Sequence, residues 1–219
     1  GTDANEVLTD YDQGNAVTNE DAYMYGGAGN DTLWGLKGAD SLYGEDGNDS
    51  LNGGNDNDFL SGGAGNDSLN GDAGDDVLYG GLGNDRLNGG TGNNTYYFNA
   101  GDGQDDIYAN ATGVDRVVFG EDVKPEDILI TRDVGTLYLK NTVSGDCIKV
   151  RDFYRQASYK LESVEFADGT VWDAETIKDK ARYYYGTDAN EVLTDYDQGN
   201  VVTNEDAYMY GGAGNDTLW

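Results

Sequence analysis

A nine-residue period running unbroken from Gly26 to Tyr97 constrains this chain more than any other feature. It reads GGAGNDTLW from Gly26, GLKGADSLY from Gly35, GEDGNDSLN from Gly44 and GGNDNDFLS from Gly53. GGAGNDSLN, GDAGDDVLY, GGLGNDRLN and GGTGNNTYY follow, so eight copies stand in register. A fixed short period means each copy is one structural step that packs only against its neighbours, which is the logic of a solenoid. Glycine in the first six positions allows turns with positive φ, and the last three predict a short strand with its central side chain pointing inward. Leu33, Leu42, Leu51, Leu60, Leu69, Leu78, Leu87 and Tyr96 hold that inward position. Looser copies are read at 100–108 and 110–118, which place Asp105 and Asp115 at the acidic position, and at 1–9 with Glu6 there.

Two nonapeptides make one coil, so alternate copies stack and their sixth residues form columns. One column is Asp31, Asp49, Asp67 and Asp85; the other is Asp40, Asp58, Asp76 and Asn94. Neighbours in a column lie about 4.8 Å apart, the strand spacing. Like charges at that distance repel by about 1 kcal/mol in water and about 3 to 4 kcal/mol at an effective dielectric near 20. A divalent cation between them reverses the sign. Hard Ca²⁺ takes six to eight oxygens, more than two carboxylates offer, and glycine-rich turns expose carbonyls to complete the shell. One buried Leu per nine ordered residues leaves a marginal fold, so a calcium-triggered coil-to-roll transition is expected.

Charge agrees. Thirteen Lys and Arg stand against 42 Asp and Glu, a formal charge of −29 on 219 residues. A nucleic-acid surface needs the opposite sign. No apolar run reaches the roughly 20 residues that cross a bilayer. With no His in the chain, Ser/His/Asp and Cys/His nucleophilic sets are excluded, and the expectation is a non-enzyme. Cys147, the single cysteine, reads as a small core residue.

The nonapeptides resemble the RTX repeat, G-G-x-G-x-D-x-U-x with U a large apolar residue. That resemblance implies a right-handed parallel β-roll with two parallel sheets and Ca²⁺ in its turns. It implies ligation by the acidic sixth residues together with carbonyls of positions 1 and 3 from one turn and positions 2 and 4 from the next. Position 1 is Gly26, Gly35, Gly44, Gly53, Gly62, Gly71 and Gly80; position 3 is Ala28, Lys37, Asp46, Asn55, Ala64, Ala73 and Leu82. Position 2 contributes Gly63, Gly81 and Gly90, and position 4 Gly47, Gly65, Gly74, Gly83 and Gly92. Roughly 6 to 10 ions are expected along the two columns. Departures from the pattern are Leu36 and Asp72 for the second Gly, Asp56 for the fourth, and Asn94 for the acid, which weakens the sites it touches.

From about residue 119 the period gives way to alternating strands, expected at Ile128–Arg132, Thr136–Lys140, Asp146–Phe153, Leu161–Phe166 and Thr170–Trp172. Asp168-Gly169 signals a hairpin, Pro125 a short helical turn, and Asp173 the cap of a helix from Ala174 to about Tyr184. The stretch from Phe119 to Asp173 resembles the domain that follows RTX repeats in haemolysin-type calcium-binding proteins. The expected fold is all-β, a roll closed by a small antiparallel β-hairpin cap with a short C-terminal helix. Outward positions on one sheet are polar, whereas the other carries Tyr43, Phe59, Val77, Tyr79 and Tyr97, so that face is expected to be covered by partner, cap or sister chain.

A second, longer repeat sits over the first. Residues 1–34 and 186–219 match at 33 of 34 positions, differing at Ala16 against Val201, so the unit is 185 residues long and Asp216 repeats Asp31. The chain divides into entry coils (1–25), roll (26–118), cap (119–185) and the start of the next unit (186–219). Tyr185 runs into Gly186 without a spacer, which predicts a stiff junction and an extended array. The favoured function is a calcium-stiffened repeat of a secreted or cell-surface bacterial adhesin or filament, exported by type I secretion as the resemblance implies. The alternative is a calcium-binding appendage of a type I-secreted enzyme or toxin. Expected partners are calcium and neighbouring units, with lateral association into fibres and a surface receptor bound through other domains left open.

Overall fold

A computed structural model describes residues 1, 3–9, 21–108, 113–133, 135–153 and 161–181, with short strands beyond. The roll strands in chain order are β1 (Val7–Thr9), β2 (Tyr23–Ala28), β3 (Thr32–Lys37), β4 (Ser41–Asp46), β5 (Ser50–Asn55) and β6 (Phe59–Ala64). They continue as β7 (Ser68–Ala73), β8 (Val77–Leu82), β9 (Arg86–Asn88), β10 (Thr95–Phe98), β11 (Gln104–Ile107) and β12 (Arg116–Phe119). Odd strands pair in parallel in one sheet and even strands in the other. Leu33 pairs with Leu51, Leu51 with Leu69, and on the opposite sheet Leu42 with Leu60 and Leu60 with Leu78, each step being 18 residues. The inward residues from Leu33 to Tyr96 are at most 1% exposed and form one core with the cap.

Strands are longer than the expected three residues. β3 to β8 each span six, because pairing with the neighbouring coil continues through positions 1 to 3 of the following copy and leaves positions 4 to 6 as the turn. Position 2 pairs across coils although its φ is positive, as at Leu36↔Gly54 and Glu45↔Gly63. Leu36, Glu45 and Asp72 hold φ of 70 to 76° there, and Asp56 holds 75° at position 4. Glycine geometry is therefore kept where glycine is absent. Asp72 is anchored in it by amides of Asn52 and Asn70 that donate to its carboxylate.

The cap extends the roll's own sheets. After a 3₁₀ turn at Pro125–Asp127 come β13 (Ile128–Arg132), β14 (Leu137–Asn141) and β15 (Cys147–Val150), an antiparallel set whose β15 joins β11 in parallel. β16 (Ser163–Phe166) joins β12 and turns at Gly169 into antiparallel β17 (Val171–Asp173). Asp173 caps α1 (Ala174–Lys180), its carboxylate accepting the Thr176 N–H at 2.8 Å. The helix stops short of the expected Tyr184, and β18 (Tyr183–Tyr185) takes the last tyrosines. Buried Cys147 lies against the core.

Among the described residues the cap does not cover the aromatic face, because its strands add at the sheet end. Rings there shield one another instead: Tyr25 and Tyr43 stack with centroids 4.8 Å apart, and Tyr43 and Phe59 meet at 5.5 Å. Tyr97 remains 41% exposed. Beyond β18, the second copy shows β19 (Val192–Leu193), β20 (Tyr196–Asp197), β21 (Asn200–Val201), β22 (Tyr208–Tyr210) and β23 (Thr217–Leu218).

Candidate metal centres along the roll edges

Each turn of positions 4 to 6 delivers its acidic residue to the edge of the roll just before a strand begins. Asp31, Asp49, Asp67 and Asp85 line the edge that leads into the odd strands, joined by Asp105 as the second residue of β11; Asp40, Asp58, Asp76, Asn94 and Asp115 line the other. All are buried, none more than 3% exposed.

The two carboxylate oxygens do different things. Oδ1 accepts a backbone N–H from the sixth residue one coil earlier: Asp31 N–H donates to Asp49, Asp49 to Asp67 and Asp67 to Asp85, at 2.7 to 2.8 Å. The opposite column repeats this from Asp40 to Asp58 to Asp76. Both columns outlast the strict period, since Asp85 N–H donates to Asp105 and Asn94 N–H to Asp115. Oδ2 of Asp31, Asp49, Asp58, Asp67, Asp76 and Asp85 is buried without any hydrogen-bond donor. Anionic oxygens left so are costly unless a cation meets them.

Each Oδ2 faces the bare Cα of its own position-1 glycine. A methyl group at Gly62 would sit 2.3 Å from Asp67 Oδ2 and 2.5 Å from the Gly80 carbonyl oxygen. The same cradle recurs at Gly26 with Asp31 and Gly44, at Gly44 with Asp49 and Gly62, and at Gly71 with Asp76 and Gly89. It also recurs at Gly35 with Asp40 and Gly53, and its carboxylate side recurs at Gly53 and Gly80 with Asp58 and Asp85. A carboxylate oxygen and a carbonyl oxygen therefore converge on space that only glycine leaves open. Among the described residues no three acidic, Cys or His side chains gather as a conventional metal cluster, so an ion here draws most of its shell from the backbone.

The other carbonyls are more engaged. Position-3 oxygens of Asp46, Ala64 and Leu82 accept N–H groups of Gly29, Gly47 and Gly65. Position-2 and position-4 oxygens abut the glycine Cα one coil on, as Gly63 does Gly81 and Gly47 does Gly65. Asn94 breaks the pattern. Its Oδ1 still takes the Asp76 N–H at 3.0 Å, but Nδ2 occupies the oxygen's place, 2.5 Å from where a Gly89 methyl would stand. An amide donor there repels a cation. Asp216 lies outside the described residues.

Several participants lacked an obvious sequence signal. Position-5 Asn residues tie coils in the reverse direction: Asn30 Oδ1 accepts from Asn48 N–H, Asn48 from Asn66 and Asn66 from Asn84. Their recurrence in GND was the available clue. Asp102, buried at the roll–cap seam, takes the Asn99 N–H, and Asp146 accepts the Gly101 N–H.

Burial raises the acids, with neighbouring carboxylates adding and the backbone N–H opposing. Asp58 and Asp67 are pushed up to about 7, Asp76, Asp85 and Asp102 to about 6, and Asp105 to about 8, from 3.8. The ion-free fold thus binds more protons than the unfolded chain between about pH 4 and 8, and its stability falls as pH rises through that window. Calcium requires the carboxylates ionised, which reverses the slope. In EDTA the far-UV β signal should be larger at pH 5 than at pH 8, and at fixed limiting calcium larger at pH 8 than at pH 5; parallel slopes would refute the assignment.

Two parallel sheets with acid columns and glycine cradles along both edges define a calcium-binding β-roll. Residues 25–60, 61–96 and 204–219 match the RTX calcium-binding nonapeptide repeat (4 copies), and residues 137–176 match the haemolysin-type calcium binding protein related domain. The chain thus carries RTX haemolysin-type calcium-binding repeats together with their related domain. No curated protein matches it.

Proposed function

We propose that this chain is a structural, non-catalytic segment of a tandem array in a secreted or cell-surface bacterial adhesin or filament, folding and stiffening on calcium outside the cell. The observation that carries this reading is the 185-residue repeat, with the second copy following Tyr185 directly. A roll serving as an appendage to one catalytic domain has no need of near-identical large units in series. Export by type I secretion suits a chain of −29 whose buried carboxylates oppose folding until calcium is met. RTX repeats are typical of secreted bacterial proteins, which supports the same placement.

Each ion is assigned to the cradle between an acidic Oδ2 and the position-1 carbonyl of the next coil, completed by further turn carbonyls. Asn94 then marks a missing ligand. Asn94→Asp should raise the calcium bound per chain, measured by equilibrium dialysis with metal analysis, by about one ion; unchanged stoichiometry would reject that placement. Small-angle scattering of chains with one, two and three units tests the array. Length should grow by a constant increment per unit in calcium, whereas a flexible string, growing roughly as the square root of unit number, would overturn the rod.

A further inference from the structure

The two copies of the repeat can be compared within one chain, and they differ in what covers one strand. β1 pairs with β3 through Val7↔Thr32 and Leu8↔Leu33, and the second copy reproduces this as Val192↔Thr217 and Leu193↔Leu218, the same residues 185 further on. β22 repeats the first half of β2. In the first copy β2 ends its sheet, paired with β4 on one side and, among the described residues, with no strand on the other. In the second, β18 lies along the strand, with Tyr183↔Tyr208, Tyr184↔Met209 and Tyr185↔Tyr210 in parallel register. β18 is in turn bonded to β13 of the cap at Arg132↔Tyr184.

Gly1 lies against that edge of β2. Its amino group donates to the Tyr25 carbonyl at 2.5 Å. Gly1 is the counterpart of Gly186, which follows Tyr185, so it already takes the ladder place next after such a strand. Beside it Tyr23 and Tyr25 are 72% and 48% exposed. An uncovered edge strand is a template for another chain segment.

We propose that Tyr183–Tyr185 is the joint of the array: its backbone closes the open edge of the following unit's first roll strand, so that each cap and the next roll share one hydrogen-bonded sheet. The occupant of the β2 edge is the corresponding tyrosine strand of another copy of the unit. Cap and roll are then coupled, and a following copy starts on a template instead of nucleating its own first coil. The use of this joint rests on the array reading, but the joint itself is contained in this chain.

Amide hydrogen exchange of the whole chain in calcium tests it. Tyr184→Pro removes a ladder N–H and should speed exchange across Tyr208–Tyr210 by at least about tenfold while Leu137–Asn141 and the roll strands keep their protection. If Tyr208–Tyr210 exchange as a free peptide in the parent chain, or are unchanged by Tyr184→Pro, the joint does not exist. Should Tyr184→Pro also loosen the cap, Met209→Pro decides from the other side: it should speed exchange of Tyr183–Tyr185, and no change there would overturn the proposal. Failure of the calcium reading looks different, since the roll strands themselves would then be unprotected.

Discussion

Asp67→Ala is expected to lower the stability of the calcium-loaded roll by about 3 to 6 kcal/mol. Two effects sum. The Asp49 N–H, donated to Asp67 Oδ1 at 2.7 Å, becomes a buried donor without a partner, which costs about 1 to 3 kcal/mol. The Oδ2 ligand disappears as well, and losing one ion held at a hundredfold excess over its Kd removes about 2.7 kcal/mol. Asp67→Asn separates the two, because its amide oxygen can keep the Asp49 N–H while its nitrogen enters the cradle as at Asn94. Thermal melts in calcium and in EDTA distinguish them: the Asn variant should lose only the calcium-dependent part. A calcium midpoint and melt unchanged in both variants would remove Asp67 from the ligand set.

Gly62→Ala should abolish calcium binding at its cradle without altering any charge. The φ of Gly62 lies outside the left-handed region, so the cost of alanine there is the contact its methyl makes and not a strained φ. Its methyl would instead stand 2.3 Å from Asp67 Oδ2 and 2.5 Å from the Gly80 oxygen, in the space assigned to the ion. Calcium bound per chain should fall by about one ion and the midpoint of folding should rise to higher calcium. Gly65→Ala is the contrast: at φ +141° its methyl would meet the Gly47 oxygen at 1.7 Å, so the turn itself should fail with or without calcium. A Gly62→Ala protein that binds as many ions as its parent would place calcium elsewhere.

Strict periodicity made much of this legible in the sequence. The inward leucines and the stacking of Asp31 on Asp49 follow from an 18-residue coil, which the strand register repeats. Short-range signals also hold in the cap: Pro125 opens a 3₁₀ turn, Asp173 caps a helix, and Ile128–Arg132 is a strand. What could not be read was non-local. Positions 1 to 3 look like turn in one copy and become strand only because the neighbouring coil supplies a ladder. Glu45, an ordinary residue by propensity, is held at φ 75° by that same ladder. The helix ends at Lys180 because Tyr183–Tyr185, with strong β propensity, is claimed by pairing with a residue 25 positions away. The cap reads locally as free hairpins, and only the tertiary fold shows β15 and β16 continuing the two roll sheets.

The most direct test of calcium as the condition for folding is far-UV circular dichroism of the whole chain, stripped with EDTA and titrated with CaCl₂, with MgCl₂ in parallel. A cooperative coil-to-β transition in the sub-millimolar to millimolar range is predicted with calcium alone, because the cradles offer many flexible carbonyl oxygens and magnesium demands a compact octahedron. A chain fully β in EDTA, melting at the same temperature with and without calcium, would contradict it: the buried Oδ2 atoms would then be neutralised by protons, and the ions would have no part in holding the roll.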